Sequence, residues 1–308
     1  MVTEIKRSDE MDAKILDGKL LSKQIEAELQ ERVNNLKGKL NFVPKLATII
    51  VGEFAPSVTY VRMKRKACER VGLDSIVVEM PEETTTEELL NKINELNNDE
   101  TVCGILLQHP VPKHIDEQKC FNAIATEKDV DGVNTASFGG MSMGLDYYKS
   151  ATPLGIITLL KRNNVDLAGK HAVVVGRSAI LGKPVAMLLL NENCTVTTCH
   201  SKTNNLPDII KTADIVVGAV GKPNFVKPEW VKDGVVLVDA GYNAGNVGDI
   251  DPACQTKASA YTPVPGGVGP MTIASLMSQT VTSAERVAEK KMLNDFKKNR
   301  KISQEREK

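Results

Sequence analysis

Hydrophobic positions follow two different spacings along the first third of the chain. Some segments repeat every three to four residues, as amphipathic helices do, and others are short unbroken apolar runs, typical of buried strands. The two kinds of segment alternate, which predicts parallel strands with helices between them. Helices are predicted at 20–37, 57–71 (with Ser57 as its N-cap) and 84–99, and strands at 44–52, 75–81 and 102–110.

A second alternating series begins after Pro153, beyond a segment (about 110–153) with little periodicity and several glycines. The fold class is therefore α/β with two lobes: an N-terminal parallel-sheet catalytic domain, 1–154, and a C-terminal Rossmann-like domain, 155–271. A last helix, 272–300, is expected to pack back on the first domain. The second series has helices at 155–165, 182–193 and 206–213 and strands at 170–176, 195–201, 214–221 and 234–241.

Composition narrows the class of protein. The 308 residues include 39 basic and 39 acidic side chains and only 4% aromatics, so neither charge nor stacking surface favours a nucleic-acid partner. The start of the chain lacks a secretory signal, and the longest apolar runs are too short for a membrane helix. Six scattered cysteines indicate buried free thiols in a cytoplasmic protein, and no His or Cys spacing indicates a metal site.

A glycine-bounded turn follows the strand at 170–176. Gly176 permits a sharp turn, Gly182 permits close approach to a phosphate, and Pro184 suits a first helical turn. The free N–H groups of a helix starting here would hold a pyrophosphate. The spacing is not the usual G-x-G-x-x-G, and an ordinary strand-to-helix turn remains the alternative.

The end of the next strand indicates which dinucleotide binds. A carboxylate there would hold the ribose hydroxyl of NAD, whereas basic or polar groups accommodate the 2′-phosphate of NADP. The strand ends at Cys199 and is followed by His200, Ser201 and Lys202, without an acidic residue before Asp208. Arg177 adds a permanent cation in the preceding turn. These residues predict NADP as the cofactor.

Three candidate groups lie in the first lobe. Tyr60 and Lys64 share one helical face, where a lysine of lowered pKa could transfer protons, although an ordinary surface face has the same spacing. Gln108 ends a strand, either as a ligand-binding amide or as a strand cap. Asp129 and Asp131 lie on a loop, where either could cap a turn or accept paired N–H donors from a heterocycle.

Residues 262–272 contain so many prolines and glycines that they indicate one rigid path before the last helix. A helix starting beside Pro270 would direct its free N–H groups toward a ligand.

Together these segments resemble the methylenetetrahydrofolate dehydrogenase/cyclohydrolase family over about residues 15–288. The resemblance implies oxidation of 5,10-methylenetetrahydrofolate by NADP and hydrolysis of the methenyl product to 10-formyltetrahydrofolate, in a protein that is commonly a homodimer. The motifs that carry it are YVRMK, GILLQHP, EKDVDG, VVVGRSAILGKP, TVTTCHSKT and TPVPGGVGPMT.

The resemblance also implies residue roles. Lys64 is the catalytic lysine, Tyr60 stacks on the folate, Gln108 tunes Lys64, and Asp131 binds the pterin. Gly269 and Pro270 join the substrate site. The expected cofactor positions are Gly176, Arg177, Ser178, Gly182, His200, Ser201, Tyr242, Gly269 and Thr272.

Three positions depart from the family pattern. His109 stands where leucine is usual and introduces a titratable group, and Tyr242 replaces an isoleucine beside the cofactor. Residues 150–153 read Ser-Ala-Thr-Pro instead of Pro-Cys-Thr-Pro. None of these changes removes a predicted catalytic residue.

Three other functions share part of this pattern. A short-chain reductase also uses Tyr-x-x-x-Lys, but there the pair follows the cofactor motif, whereas here it precedes it by more than a hundred residues. A monofunctional dehydrogenase and a non-catalytic NADP sensor remain as alternatives, distinguished by hydrolysis of the methenyl compound and by turnover.

Overall fold

The computed structural model describes residues 13–52 and 55–306, with side chains left out for 55–60, 299 and 301–306. Contacts divide the chain into two compact units, Lys19–Gly155 with the segment from Pro270 onward, and Ile156–Gly269 with the described residues up to Gly18. The helices and strands in chain order are β1 (Lys14–Ile15), α1 (Gly18–Asn34), β2 (Lys45–Val51), α2 (Ala55–Val71), β3 (Asp74–Met80), α3 (Thr86–Asn98), β4 (Val102–Leu107), α4 (Glu117–Ala123), α5 (Thr135–Ser142), α6 (Ala151–Arg162), β5 (His171–Val175), α7 (Gly182–Asn191), β6 (Thr195–Cys199), α8 (Leu206–Lys211), β7 (Ile215–Gly218), β8 (Val235–Asp239), β9 (Ala258–Tyr261) and α9 (Val268–Arg306).

The unit that contains Lys19–Gly155 is built on a parallel sheet in the order β3-β2-β4. Ala47 at the centre of β2 pairs with Ile76 on one side and Ile105 on the other. Residues of β2 and β4 are almost all buried, as expected for strands covered on both faces. Strand β3 lies on one side of β2 and strand β4 on the other. The carboxyl ends of β2 and β4 therefore form a switch point, where open α/β sheets bind ligands.

The helices α3 and α2 begin in different ways. The start of α3 follows a capping box, in which Thr85 accepts from the Glu88 N–H and the Glu88 side chain accepts from the Thr85 N–H. In contrast, α2 begins at Ala55, so Ser57 lies inside its first turn and the predicted Ser57 cap is wrong.

The segment 110–153 contains two short helices that its weak periodicity did not predict. Asp116 caps α4 by accepting from the Lys119 N–H, and Asn134 caps α5 by accepting from the Ser137 N–H. Both helices are too short to display a full hydrophobic repeat, so the Asp and Asn caps were the available signal.

The helix α9 begins at Val268, four residues before the predicted start, and its residues from Pro270 onward group with Lys19–Gly155 in one compact unit. Arg32 pairs with Glu285 at 2.6 Å, and the Ser283 hydroxyl donates to the Glu127 carbonyl. Gly104 in β4 provides room for this packing, because a Cβ there would lie 2.7 Å from the Val130 side chain and 3.1 Å from the Thr280 hydroxyl.

The other unit has a parallel sheet in the order β1-β9-β8-β7-β5-β6. Its switch point lies between β5 and β7. Neither β1 nor β9 was predicted, and β1 pairs with β9 although the predicted boundary assigned residues 1–154 to the other domain.

The predicted free thiols are confirmed. All six cysteines are buried and form no disulfide; they are Cys68, Cys103, Cys120, Cys194, Cys199 and Cys254. Within the described residues, no helix combines the length and apolar character needed to cross a membrane.

Candidate active site

Lys64 lies on α2, with only 8% of its surface exposed. Its Nζ donates a hydrogen bond of 2.9 Å to Gln108 Oε1. Burial lowers the pKa of Lys64 from 10.5 to about 8, and the nearby charge of Asp131 opposes that shift. Its ordinary surface interpretation is therefore wrong: Lys64 is a buried amine that can lose its proton near neutral pH.

Gln108 connects this lysine to the sheet. Its backbone N–H donates to the Ile49 carbonyl at 2.9 Å, which continues the pairing of β4 with β2 by one residue. Its side chain spans two partners, since Oε1 accepts from Lys64 and Nε2 donates to the His109 carbonyl at 2.9 Å. The backbone of Gln108 thus ends the strand, and its side-chain amide contacts Lys64 and the His109 carbonyl.

The two carboxylates of the 127–132 loop have different environments. Asp129 is fully buried and accepts from the Val133 and Asn134 N–H groups at 3.1 Å each. Burial raises its pKa to about 6. Asp129 is the turn cap that the sequence left open.

Asp131 is only partly covered, and no hydrogen bond reaches its carboxylate from any side chain or N–H group that the structure describes. Burial raises its pKa to about 7, against the attraction of Lys64. A carboxylate that keeps its acceptors unused beside a buried lysine is suited to receive a ligand.

Gln279 on α9 holds the Asp131 loop, and the sequence did not identify it. Its Nε2 donates to the Val130 carbonyl at 2.7 Å and to the Lys149 carbonyl at 2.8 Å. Its Oε1 accepts from the Lys149 N–H at 2.8 Å. One buried amide therefore satisfies three backbone groups, one in the 127–132 loop and two at Lys149. A glutamine on the buried face of an amphipathic helix was the available signal.

Tyr60 lies four residues before Lys64 in α2, but its side chain is outside the described residues. His109, the first departure from the family pattern, is half-exposed, and its Nδ1 lies 2.6 Å from Glu117 Oε1. The hydrogen bond to Glu117 raises the pKa of His109. The described residues contain no group of three or more His, Cys, Asp or Glu side chains arranged to hold a metal.

In the other unit, Gly176 and Gly182 bound the turn between β5 and α7. Gly176 has a φ of 138°, and a Cβ there would lie 2.1 Å from the Ala219 carbonyl oxygen. A Cβ on Gly182 would lie 2.4 Å from the Gly176 oxygen. Both positions require glycine because the backbone folds tightly against itself at the switch point.

At the start of α7, two of the N–H groups that the sequence predicted to be free have acceptors within the turn. The Gly182 N–H donates to Ser178 Oγ at 3.2 Å and the Lys183 N–H to the Ser178 carbonyl at 3.0 Å, while Pro184 has no N–H. The prediction of free N–H groups is wrong for these residues. A phosphate would instead meet the exposed Arg177 guanidinium and the Ser178 hydroxyl, whose hydrogen can still donate.

The residues after β6 form a compact turn. His200 is half-buried, its N–H donates to Thr203 Oγ1 at 2.8 Å, and its Nδ1 accepts from the Lys202 N–H at 3.1 Å. An accepting Nδ1 leaves the ring proton on Nε2, where it can be donated outward. Ser201 and Lys202 are exposed, so donors and a cation surround the end of the strand.

Two buried aspartates, missed in the sequence, shape the neighbouring loops. Asp239 accepts from the N–H groups of Gly241, Asp249 and Ile250, and burial raises its pKa. Asp249 accepts from the backbone N–H groups of residues 220–222. Tyr242, on the loop between them, is 59% exposed, so its ring faces outward from these buried contacts.

The glycine- and proline-rich segment ends in α9 earlier than predicted. The Gly267 N–H donates to the Pro263 carbonyl at 2.8 Å, and Pro270 is the third residue of the helix. A Cβ on Gly269 would meet nothing within 4 Å, which leaves open space beside the first turn. The Thr272 hydroxyl donates to Thr152 Oγ1 at 3.0 Å.

Two family descriptions match the chain. Residues 16–131 match the catalytic domain of tetrahydrofolate dehydrogenase/cyclohydrolase, and residues 150–288 match its NAD(P)-binding domain. The chain belongs to the tetrahydrofolate dehydrogenase/cyclohydrolase family.

Relatives of this family match nearly end to end. The bifunctional protein FolD of Acidobacterium capsulatum is 61% identical over 280 residues, which cover 90% of this chain and 99% of that protein. The FolD of Cellvibrio japonicus is 62% identical over 278 residues, with the same coverage.

Solved structures of the tetrahydrofolate dehydrogenase/cyclohydrolase family agree in fold. The bifunctional FolD of Campylobacter jejuni has a TM-score of 0.87 and 44% identity, covering 89% of this chain and 99% of that one. The Trypanosoma brucei enzyme, solved with NADP and an inhibitor, has a TM-score of 0.86 and 37% identity, covering 89% and 98%. The family's catalytic-domain match includes Lys64, Gln108 and Asp131, and its NAD(P)-binding match includes the turn at Gly176–Gly182.

Proposed function

We propose that this chain oxidises 5,10-methylenetetrahydrofolate with NADP and hydrolyses the resulting methenyl compound to 10-formyltetrahydrofolate. The observation that carries the proposal is the buried Lys64 amine, hydrogen-bonded to Gln108 and electrostatically coupled to Asp131 at a switch point of the sheet. Membership of the family, with relatives named bifunctional FolD at about 60% identity, supports both reactions.

Asp131 and Lys64 would divide the work on the folate. The carboxylate of Asp131 offers two oxygens to the paired N–H donors of an aminopyrimidinone ring. The methenyl substrate is a cation, so its arrival beside Lys64 further disfavours the ammonium. The neutral amine can then take a proton from the attacking water. Tyr60, four residues before Lys64, would stack on the folate ring.

The residues of the other unit fit NADP. Gly176 and Gly182 form a turn that a Cβ would fill, and Arg177 and Ser178 are exposed beside it. The turn after β6 presents His200 and Ser201 with no carboxylate to repel a 2′-phosphate. The bound cofactor would supply a nicotinamide that accepts hydride. Gly182, Tyr242, Gly269, Pro270 and Thr272 remain proposed lining positions.

The decisive assay mixes the chain with methylenetetrahydrofolate and NADP and follows the methenyl compound by absorbance. The proposal requires its appearance and its subsequent hydrolysis. Release of unhydrolysed methenyl compound would indicate a monofunctional dehydrogenase, and binding of NADP without turnover would indicate a sensor.

A lysine variant separates the two reactions. We expect Lys64→Met to lower hydrolysis by about 10²–10⁴-fold, the usual range for a general base, while NADP still binds. Lys66→Met, an exposed lysine on the same helix, is the matched control and should hydrolyse normally. Normal formation of the 10-formyl product by the Lys64 variant would refute the assigned role.

Cofactor preference is tested by KM for NADP and NAD. A marked preference for NAD would overturn the NADP assignment.

We further propose that the chain acts as a homodimer in the cytoplasm and that its 10-formyl product supports purine biosynthesis. Sedimentation of the purified chain checks the dimer.

A further inference from the structure

The Gln108 amide can face Lys64 in either of two directions, with opposite chemical results. A neutral lysine amine has two N–H donors and one lone pair. If the amide oxygen faces it, the oxygen accepts an N–H and leaves the lone pair available for a proton. If the amide nitrogen faces it, the nitrogen donates into that lone pair and removes the base. The direction of one side-chain amide therefore decides whether Lys64 can act.

The His109 carbonyl selects the productive direction. It lies 2.9 Å from Gln108 Nε2 and can only accept, so the amide nitrogen turns toward it and the oxygen turns toward Lys64. The reversed amide would place two oxygens against each other and the NH₂ group against the Lys64 amine. The position of this one carbonyl is therefore critical.

Glu117 on α4 fixes the segment that carries the carbonyl. Its Oε1 lies 2.6 Å from His109 Nδ1 and also accepts from the Val111 N–H at 3.3 Å. One carboxylate oxygen thus holds the chain on both sides of Pro110. Burial raises the pKa of Glu117, but the contacts with His109 and Val111 outweigh burial and lower it overall. Glu117 is therefore ionised at neutral pH.

We propose that Glu117 and His109 are positioning residues, which fix the His109 carbonyl and through it the direction of the Gln108 amide. Both residues would act on Lys64 through Gln108. The charged groups that face His109 are Glu117, from α4, and Asp131, from the 127–132 loop. This inference rests on the proposed cyclohydrolase function of Lys64.

Paired variants test the hydrogen bond apart from the charge. His109→Leu removes the donor, whereas His109→Asn keeps an N–H near the position of Nδ1 but carries no charge. Glu117→Ala removes the acceptor, whereas Glu117→Gln keeps an accepting oxygen. We expect the Leu and Ala variants to lower kcat for hydrolysis by about 3- to 10-fold, the worth of one net hydrogen bond, with KM little changed. The Asn and Gln variants should stay within about twofold of the parent.

The dependence of kcat on pH adds a measurement that a general loosening of the protein structure would not change. An amide nitrogen that donates to Lys64 stabilises its neutral form, so the acid limb should shift to lower pH in the Leu and Ala variants while the plateau falls. Lys119→Ala, an exposed change on α4, is the control and should match the parent in both respects.

Labelling of Lys64 keeps the inference separate from the proposed function. The rate at which an amine reagent modifies Lys64 in the whole folded chain, measured by mass spectrometry across pH, reports its pKa without any turnover. A parent that hydrolyses nothing would refute the proposed function, yet a lower Lys64 pKa in His109→Leu would still support the positioning role. Leu and Ala variants with parental kcat and parental Lys64 pKa would overturn it, and the Leu variant suffices if the Ala variant does not fold.

Discussion

The buried Lys64 ammonium should destabilise the native protein, so Lys64→Met should make it more stable as well as slower in hydrolysis. The pKa of Lys64 falls from 10.5 to about 8. Since one pKa unit corresponds to about 1.4 kcal/mol, the charged form costs the folded state about 3 kcal/mol at pH 7. The Met side chain loses the hydrogen bond to Gln108, worth about 1 kcal/mol. A net gain of about 2 kcal/mol remains.

The gain should depend on pH in a defined direction. Below about pH 8 the lysine is protonated in both the native and the unfolded chain, so the full cost is present. Between about pH 8 and 10.5 the native lysine releases its proton while the unfolded one keeps it, so the parent protein recovers stability. The advantage of the Met variant should therefore shrink toward pH 10.

Urea unfolding can be followed separately in each unit. The single tryptophan, Trp230, lies in the Ile156–Gly269 unit and reports that unit alone. Labelling of the buried thiol of Cys103 reports the unit that contains Lys64. We expect the Cys103 transition to move to higher urea in Lys64→Met, while Lys66→Met stays at the parental midpoint. A Met variant no more stable than the parent at pH 7, or equally favoured at pH 10, would refute the reasoning.

Three further predictions concern catalysis and binding. For hydrolysis, kcat/KM should fall as pH drops below about 8, because Lys64 must be neutral and Asp131, with a pKa of about 7, must be ionised; a flat profile from pH 6 to 9 would contradict this. Gln279→Ala should destabilise the folded chain by about 2–3 kcal/mol in urea unfolding and raise KM for the folate, because it leaves the Val130 carbonyl and its neighbours unpaired. Arg177→Ala should raise KM for NADP by about tenfold, and an equal rise with NAD would argue against a 2′-phosphate contact.

Long periodic segments were predictable because their own residues determine their structure. Helix α3 and strand β2 lie within two residues of their predicted bounds, since capping and continuous apolar runs are local properties. Strand β4 begins at its predicted residue and ends three residues earlier than predicted. The strands β1 and β9 were not predicted, because each has too few residues to show a pattern; β1 forms by pairing with β9, and β9 pairs with both β1 and β8. Short elements of this kind depend on contacts far away in the chain.

Some features of the candidate site were likewise predictable from local sequence, and others depend on contacts that only the structure shows. Residue types indicated Lys64 and Gln108 as candidates, but only burial and a 2.9 Å contact separate a reactive lysine from a surface one. Residue type does not separate Asp129 from Asp131, and the hydrogen bonds that Asp129 accepts identify it as the turn cap. The N–H groups of Gly182 and Lys183 at the start of α7 were mispredicted as free, because the Ser178 hydroxyl and carbonyl accept from them.

The hydrogen bonds from Gln279 to the Asp131 loop also determine the order in which the two units can finish folding during synthesis. A ribosome that has released residues 19–155 has made the sheet with Lys64 and Gln108, but not the helix that secures Asp131. The segment Ile156–Gly269 emerges in between and contains most of its own partners. Residues 19–155 are therefore translated before Ile156–Gly269 but completed after it, and a nascent chain that stalls before α9 has an Asp131 loop without Gln279 to hold it.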